Sequence, residues 1–302
     1  MNTPSWVIEA HDVRMVYGNH EVLSGISFQI HAGEVVAMLG PNGAGKTTTI
    51  EILEGFRRPS SGTVRVLGHD PLTAGDPWRA RIGIVMQSWR DHRGWTARQL
   101  LDYLGSYYRP YATPEVIRPR PTGELLSLVG LQDSADIALK RLSGGQRRRL
   151  DLAIGIAGRP EVVFLDEPTA GFDPEARRLF QNLITDLADE GASVLVTTHD
   201  LEEAERVADR ILILDRGSIV ADGSPDALRT RFYAQAEVVW TDRHGRHVHP
   251  TDDPAGFLRS HLADPANVMD DLDIRRATLE DAYLALVRRA EHAPAMAGKE
   301  NA

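Results

Sequence analysis

The chain has 302 residues, of which 42% are hydrophobic and 25% charged, the composition of an ordinary globular protein. It contains no cysteine, which excludes disulfides and thiolate metal sites, and its net charge of −9 argues against nucleic acid as the main partner. We expect no secretory signal, because the first residues lack a basic segment followed by a long apolar one. No stretch reaches the ~18 apolar residues of a membrane helix, so any membrane role requires another polypeptide.

Strand and helix patterns alternate over most of the chain, which predicts an α/β domain with a largely parallel sheet. Leu179, Leu183 and Leu187 recur every four residues and predict the buried face of a helix. In chain order, the predicted elements are the strands Val7–Glu9, Ser27–Ile30 and Val35–Leu39, the helix Lys46–Leu53, the strands Ile82–Met86 and Val162–Leu165, the helix Glu175–Glu190, the strand Ser193–Thr198, the helix Leu201–Asp209 and the strand Ile211–Asp215.

Two regions depart from this alternation. β-Branched runs disappear between residues 88 and 142, where Ala97–Tyr107 and Thr122–Val129 predict helices and hence a helical insertion. Beyond Gly223, we expect a strand at Glu237–Thr241, a hairpin turn at Arg243–Arg246 and a final helix at Leu279–Arg289. The predicted organisation is a main domain at 1–223 with a helical subdomain at about 88–158, an accessory domain at 224–290 and a disordered tail at 291–302.

A glycine-rich loop lies between the strand Val35–Leu39 and the helix Lys46–Leu53. The pattern G-x-x-x-x-G-K-T in that context predicts a phosphate-binding loop, because glycines turn backbone N–H groups toward phosphate oxygens and the helix N-terminus attracts anions. Lys46 would reach the β- and γ-phosphates, and Thr47 would offer its hydroxyl to Mg²⁺. The alternative, a chance glycine-rich turn, is disfavoured by the flanking strand and helix. The residues assigned to the nucleotide are Gly40, Pro41, Asn42, Gly43, Ala44, Gly45, Lys46, Thr47 and Thr48.

Asp166 and Glu167 follow the apolar run Val162–Leu165. In a P-loop protein, an aspartate at the end of a neighbouring strand helps to hold Mg²⁺. Glu167 would then face the space beyond the γ-phosphate, where it could orient or deprotonate the attacking water. Acidic pairs are also common turn residues, so this pair alone leaves both interpretations open.

A second candidate anion site is Ser143-Gly-Gly-Gln146, at the start of a predicted helix. Ser143 can cap this helix, and unshielded glycine amides at a helix N-terminus favour an anion. Alone, the segment is better explained as a simple N-cap with a flexible entry. Together with the phosphate loop upstream and Asp166-Glu167 downstream, Leu142–Gln146 is the signature of the ABC ATPases, and the chain resembles that family from about Val7 to Gly223.

The resemblance implies a P-loop NTPase fold of the ABC ATPase type: an α/β domain with a mixed sheet and a RecA-like core, a helical signature subdomain, and a small C-terminal α+β accessory domain. It also implies an active ATPase that binds ATP and Mg²⁺, two copies of which enclose two ATP molecules head to tail. Ser143, Gly144, Gly145 and Gln146 of one copy would then contact the ATP held by the other.

Other family positions carry over to single residues. Tyr17 corresponds to the aromatic residue that stacks on adenine, and Gln87 to the Q-loop glutamine that senses Mg²⁺ and the attacking water. Asp173 corresponds to the D-loop at the dimer interface, and His199 to the switch histidine that contacts the γ-phosphate. Phe172 stands where the family often has leucine, a difference of packing. The implied catalytic residues are Glu167, His199 and Lys46, and the implied Mg²⁺ ligands are Thr47, Gln87 and Asp166.

Within the family, Leu272–Leu286 resembles the C-terminal segment of daunorubicin-resistance-type exporter ATPases, as do Arg147–Asp151 and Gly171–Glu175. Such proteins pair with a small, separately encoded permease and move drugs, lipids or polysaccharides outward. We therefore expect a homodimer held at the cytoplasmic face of the membrane by a permease, which Trp89–Trp95 would contact. The alternative is a non-transport ABC ATPase in a soluble or nucleic-acid-associated complex, which the acidic charge disfavours.

Two local patterns leave alternatives. Arg147–Arg149 could form a nucleic-acid patch, but a solvated or interface face of the signature helix is favoured. His244, His247 and His249 could bind a metal, but exposed strand positions are favoured. Neither nucleic acid nor a metal other than Mg²⁺ is expected.

Overall fold

The computed structural model describes residues 6–85, 94–232, 236–242, 245–264, 267 and 269–275. The chain divides into two compact units, Met1–Asp222 and Gly223–Ala302. No helix among the described residues is both long and apolar enough to span a bilayer.

The first unit contains two sheets. Its strands are β1 (Trp6–Tyr17), β2 (His20–His31), β3 (Val35–Leu39), β4 (Ser61–Val66), β5 (Ile82–Val85), β6 (Val162–Asp166), β7 (Ser193–Thr198), β8 (Arg210–Asp215) and β9 (Ser218–Gly223). Within the described residues, the central sheet has the order β5-β6-β7-β3-β8-β9, with parallel pairing from β5 through β8. The second sheet, β2-β1-β4, is antiparallel. The predicted α/β fold with a mixed sheet is confirmed.

Helices connect and cover these strands. They are α1 (Lys46–Leu53), α2 (Asp76–Arg79), α3 (Ala97–Ser106), α4 (Thr122–Leu128), α5 (Gly144–Ile156), α6 (Pro174–Asp189) and α7 (Leu201–Val207). The predicted helical insertion is confirmed by α3 and α4, which lie between β5 and α5 in the sequence. Leu150, Ala153 and Ile154 of α5 and Ala157 just after it form a buried apolar stripe.

Buried apolar runs fix the central strands. Every residue of β3, β6 and β7 is buried, as expected for parallel strands covered on both faces. On α6, Leu183 and Leu187 are buried as predicted, whereas Leu179 is only half-buried. Phe180 and Ile184 complete the buried face of that helix.

Ion pairs join the helical insertion to the end of α6. Arg120 has a side chain only 2% exposed, and it donates hydrogen bonds to Glu124 in α4 at 2.8 Å and to Glu190 after α6 at 3.0 Å. A buried guanidinium requires such partners, because an unpaired charge in the interior is strongly unfavourable. This contact therefore fixes the base of the insertion against the α/β layer.

The second unit contains α8 (Pro225–Phe232), β10 (Ala236–Asp242), β11 (Gly245–Thr251), α9 (Pro254–His261) and β12 (Asp270–Arg275). Its antiparallel sheet has the order β11-β10-β12, and β10 and β11 form the predicted hairpin. The predicted helix Leu279–Arg289 and the tail from residue 291 lie outside the described residues.

The histidines of β11 belong to an aromatic cluster. The ring of His247 stacks on Trp240 at 5.1 Å, and that of His249 stacks on Phe257 at 3.9 Å. His247 Nε2 also lies 2.8 Å from an Asp242 oxygen. The expectation of exposed strand residues was wrong in one respect: both histidines lie on a strand but are half-buried. His244 lies outside the described residues.

Candidate nucleotide site

The phosphate loop connects the end of β3 to the start of α1. A side chain at Gly40 would lie 2.3 Å from the Leu214 carbonyl oxygen, and Gly45 has a φ of +110°, so both positions require glycine. No side chain caps the N-terminus of α1, and its first turn holds no acidic residue. The amides and the positive end of the helix dipole are therefore available to an anion.

Lys46 lies at the centre of this loop with only 5% of its surface exposed. Its Nζ donates to the carbonyl oxygens of Gly40 at 2.8 Å and Pro41 at 3.3 Å. It also lies 3.3 Å from Glu167 Oε1. The ammonium is thus held at the loop by two carbonyls and neutralised by the carboxylate that follows Asp166.

Asp166 connects the loop to the central strands. Its Oδ2 accepts a hydrogen bond from Thr47 at 3.0 Å, and its Oδ1 accepts one from Thr197 at 2.6 Å. The parallel register of β6 and β7 pairs Asp166 with Thr197. The sheet therefore fixes the carboxylate against the first turn of α1.

Glu167 lies between Lys46 and His199. Its backbone is in the left-handed region, with a φ of +44°, and its N–H donates to both the carbonyl and the hydroxyl oxygen of Thr197. Its carboxylate contacts Lys46 on one side, and Oε2 lies 3.5 Å from His199 Nδ1 on the other. His199 is largely exposed, so this side of the group faces solvent.

The signature segment forms a complete capping box. Ser143 Oγ accepts from the Gln146 N–H, and Gln146 Oε1 accepts from the Ser143 N–H. The Gln146 amide also donates to Ser134, while the space around Gly144 and Gly145 is open. Among the described residues, no hydrogen bond or ion pair connects these four residues to the Lys46–Asp166–Glu167–His199 group.

The remaining predicted residues have separate positions. Tyr17 is 40% exposed at the end of β1, and the Arg57 guanidinium lies 5.2 Å from its ring centroid. Asp173 caps α6 by accepting from the Ala176 N–H, and Phe172 is buried. Gln87 and most of Trp89–Trp95 lie outside the described residues.

A further carboxyl lies at the other end of α1. Burial, with smaller contributions from the nearby charges of Asp166 and Glu51, raises the pKa of Glu54 to about 8. Glu54 is therefore neutral at pH 7, unlike an ordinary glutamate.

Sequence reasoning missed two residues that shape the site. Thr197 forms hydrogen bonds with both Asp166 and Glu167. The only sign of this in the sequence was a threonine near the end of the strand that neighbours the one carrying Asp166. Arg148 donates to the carbonyl oxygens of residues 166–168, although the arginine run was expected to face solvent or an interface. Arg149 likewise donates to the carbonyls of Val129 and Gly130. The expectation of a solvated side chain was therefore wrong for these two arginines, because each guanidinium donates to backbone carbonyls of its own chain.

A parallel sheet with a phosphate loop after one strand and two carboxylates after another defines a P-loop ATPase. Comparison with known families gives the particular type: residues 23–170 match the family described as ABC transporter. The chain belongs to that family as an ATP-binding, ATP-hydrolysing subunit.

Relatives align over nearly the whole chain. It is 37% identical over 296 residues to the daunorubicin/doxorubicin resistance ATP-binding protein of Streptomyces peucetius, an alignment that covers 93% of this chain and 88% of that protein. It is 34% identical over 305 residues to the Nod factor export ATP-binding protein I of Rhizobium meliloti strain 1021, covering 95% and 89%.

Solved structures share the fold. An ATP-binding subunit of an ABC transporter superposes with a TM-score of 0.65 at 25% identity, covering 75% of this chain and 93% of that one. A dimeric ATP-binding cassette, determined in a post-hydrolysis state with ADP and Pi, superposes with a TM-score of 0.63 at 25% identity. That alignment covers 72% of this chain and 98% of the cassette.

Proposed function

We propose that two copies of this protein close around two Mg-ATP and drive a separately encoded permease that exports its cargo from the cytoplasmic face of the membrane. The observation that carries the proposal is the convergence of Lys46, Thr47, Asp166, Glu167 and His199 at the carboxyl ends of β3, β6 and β7. In open α/β sheets this edge is where ligands bind.

Lys46 binds the β- and γ-phosphates. Its ammonium lies 3.3 Å from Glu167 Oε1, and this contact with a negative oxygen supports the proposal that a phosphate oxygen fits at the same position. The uncapped start of α1 supplies further N–H donors to the same phosphates. Tyr17, exposed at the end of β1, offers a ring for the adenine.

Thr47 and Asp166 hold Mg²⁺, with Gln87 as the third protein ligand. The fit is chemical and geometric: a hydroxyl and a carboxylate oxygen, which are the hard ligands Mg²⁺ prefers, already lie 3.0 Å apart. When bound, Mg²⁺ neutralises phosphate charge that develops during transfer. Thr197 keeps the other Asp166 oxygen oriented through its 2.6 Å hydrogen bond.

Glu167 is the base that orients and deprotonates the attacking water. Its amide is fixed by Thr197, so its carboxylate moves only by side-chain rotation. Displacement of that carboxylate from Lys46 by phosphate frees it for the water. His199, at 3.5 Å from Glu167 and open to solvent, contacts the γ-phosphate.

The second half of each site comes from the partner copy. Ser143 to Gln146 form a helix start closed by a capping box, with Ser143 and Gly144 exposed. Among the described residues, no hydrogen bond or ion pair joins this segment to the residues above. A helix N-terminus with two unshielded glycines is suited to the γ-phosphate of the other copy's ATP. Asp173 lies beside this interface as the N-cap of α6.

Export of a drug, lipid or polysaccharide is the transport function we infer. It rests on the relatives: the Streptomyces protein is named for daunorubicin and doxorubicin resistance, and the Rhizobium protein for Nod factor export. Their alignments extend through the second unit of this chain, beyond the matched family region.

The test is the oligomeric state of Glu167→Gln with and without Mg-ATP. Because the substitution removes the base and retains the phosphate contacts, turnover falls to a small residual rate and a dimer accumulates only with Mg-ATP. Light scattering after gel filtration measures the dimer, and phosphate release measures turnover. Full hydrolysis by this variant would overturn the assignment of Glu167.

A second variant tests the partner contribution. Ser143→Arg places bulk and charge at the start of α5 and removes its cap, so in the Glu167→Gln background it prevents the ATP-dependent dimer. Binding of a fluorescent ATP analogue stays close to that of Glu167→Gln, because the cis contacts remain. A normal dimer would contradict the shared site.

A further inference from the structure

Arg148 makes an unusual set of contacts for a residue in the signature helix. It lies in the second turn of α5, and its guanidinium donates to three consecutive carbonyl oxygens. Nη2 donates to Asp166 at 2.9 Å and to Glu167 at 3.1 Å, and Nε donates to Pro168 at 3.0 Å. These are the carbonyls of the turn that carries the proposed base.

That turn needs such a partner. Glu167 has a φ of +44°, a left-handed conformation that costs free energy for a residue with a side chain. The turn begins at Asp166, the last residue of β6 and the last one that β6 pairs with β7. The planar guanidinium spreads five donors over three nitrogens in a fixed arrangement, whereas an ammonium donates from a single nitrogen, so the arginine is better suited to three carbonyls of one turn.

The contact also joins two functional regions of one chain. The start of α5 is the segment proposed to contact the partner's ATP, and Arg148 follows it on the same rigid helix. A displacement of α5 on closure therefore acts on the Asp166–Glu167–Pro168 backbone through three hydrogen bonds. The amide side of the same turn is fixed by Thr197. On the carbonyl side, the Glu167 oxygen also accepts from the Ala170 N–H at 3.4 Å, and Arg148 is the side chain that donates to all three carbonyls.

We propose that Arg148 is a positioning residue that holds the Glu167 turn in its left-handed conformation and transmits engagement of the signature helix to the base of the same chain. The inference rests on the proposed function of Glu167 and Ser143–Gln146. It deepens that function by giving a physical link between the site where a chain contacts its partner's ATP and the site where it hydrolyses its own.

Arg148→Met is the principal test, with Arg149→Met as its matched control. Both remove one half-buried arginine from neighbouring positions of α5, but Arg149 donates to Val129 and Gly130, away from the turn. Arg148→Met lowers kcat about 10- to 100-fold, the effect of misplacing a catalytic group by a fraction of an ångström to about one ångström. KM for ATP and binding of a fluorescent ATP analogue change less than about twofold, because no phosphate contact is altered.

Arg149→Met keeps kcat within about threefold of the wild type, since it leaves the turn untouched. Thermal unfolding followed by circular dichroism establishes that the two variants are folded to a similar extent. Equal losses of kcat in the two would show that any arginine removed from α5 has this effect, and would overturn the proposal.

The double variant that combines Arg148→Met with Glu167→Gln distinguishes a failure of this inference from a failure of the proposed function. If Arg148 acts through Glu167, the residual hydrolysis of Glu167→Gln is not lowered further by Arg148→Met, and the ATP-dependent dimer still forms. Additive losses would show that Arg148 acts on another group and would overturn the inference alone. Full hydrolysis by Glu167→Gln itself would instead overturn the proposed function.

Arg148→Lys covers the case in which Arg148→Met does not fold. Lysine retains the charge but cannot span three carbonyls, so kcat falls at least about threefold with KM unchanged and lies above that of Arg148→Met where both can be measured. A kcat equal to the wild-type value would contradict the proposal.

Discussion

Replacing Thr197 by valine removes one hydroxyl from the centre of the site at nearly constant volume. Thr197 is fully buried and Asp166 is 8% exposed, so water cannot replace the 2.6 Å hydrogen bond to Oδ1. The amide of Glu167 keeps a partner, because it also donates to the Thr197 carbonyl at 3.2 Å. The cost therefore falls on the carboxylate, and a hydrogen bond to a charged group contributes about 1.5–3 kcal/mol.

Urea unfolding without nucleotide or Mg²⁺ measures this cost. For an m-value of about 2 kcal/mol/M, a loss of about 2 kcal/mol lowers the midpoint by about 1 M. Thr197→Ser is the control: it keeps the hydroxyl, loses a methyl group and lowers stability by about 1 kcal/mol.

The ATPase readout distinguishes the two variants further. The Mg²⁺ concentration that gives half-maximal hydrolysis rises for Thr197→Val, because the hydroxyl that orients Asp166 is gone. It is unchanged for Thr197→Ser, which keeps that hydroxyl. A valine variant with wild-type stability and wild-type Mg²⁺ dependence would refute the role given to this hydrogen bond.

Two further predictions concern ionisable groups outside the phosphate loop. The pKa of Glu54 is raised to about 8 in the folded state, from 4.5 in the unfolded chain. The neutral carboxyl therefore makes its full contribution to the free energy of unfolding below about pH 4.5, and this contribution is lost as the pH rises to about 8. Glu54→Gln is therefore more stable than the wild type at pH 9 by at least about 1 kcal/mol and similar to it at pH 5, as urea titrations at the two pH values will show; equal pH dependence would contradict the raised pKa. Glu190→Gln weakens the contact to the buried Arg120, and since Glu190 is itself 46% exposed, the expected loss is about 1 kcal/mol rather than the 3–5 kcal/mol of a fully buried pair. A melting temperature equal to that of the wild type would show that solvent replaces this contact.

Local patterns predicted the elements of the central sheet well. The strands Val35–Leu39 and Ser193–Thr198 have the predicted bounds, because a strand buried on both faces is a largely apolar run with clear ends. The helix Lys46–Leu53, which follows the glycine-rich loop, also has the predicted bounds. The strands predicted at residues 7–9 and 27–30 are parts of the much longer β1 and β2. Register shifts within their pairing interrupt the alternation of apolar and polar residues that would have revealed the full lengths.

The chemistry of the site was predictable where it follows from a motif. The sequence pointed to Lys46, Thr47 and Asp166, and the structure brings them together. Their roles toward ATP and Mg²⁺ stay predictions, as do those of Tyr17 and Gln87.

Long-range polar contacts were not predictable in this way. The partners of Arg148 and Thr197 depend on which helix and strand lie beside the turn after β6, and no local pattern encodes that neighbourhood. The stacking of His247 on Trp240 has the same origin, since it requires the register of a hairpin.

The ion pair between Lys46 and Glu167 gives the proposed nucleotide binding the character of an exchange of anions. The Glu167 carboxylate, 3.3 Å from Lys46 Nζ, compensates a buried ammonium that would otherwise carry an unpaired interior charge. In the function we propose, a phosphate oxygen takes the place of that carboxylate, so the affinity for ATP is the difference between two ion pairs. The same exchange would release the proposed base from Lys46, so that the substrate itself makes the carboxylate available for the reaction.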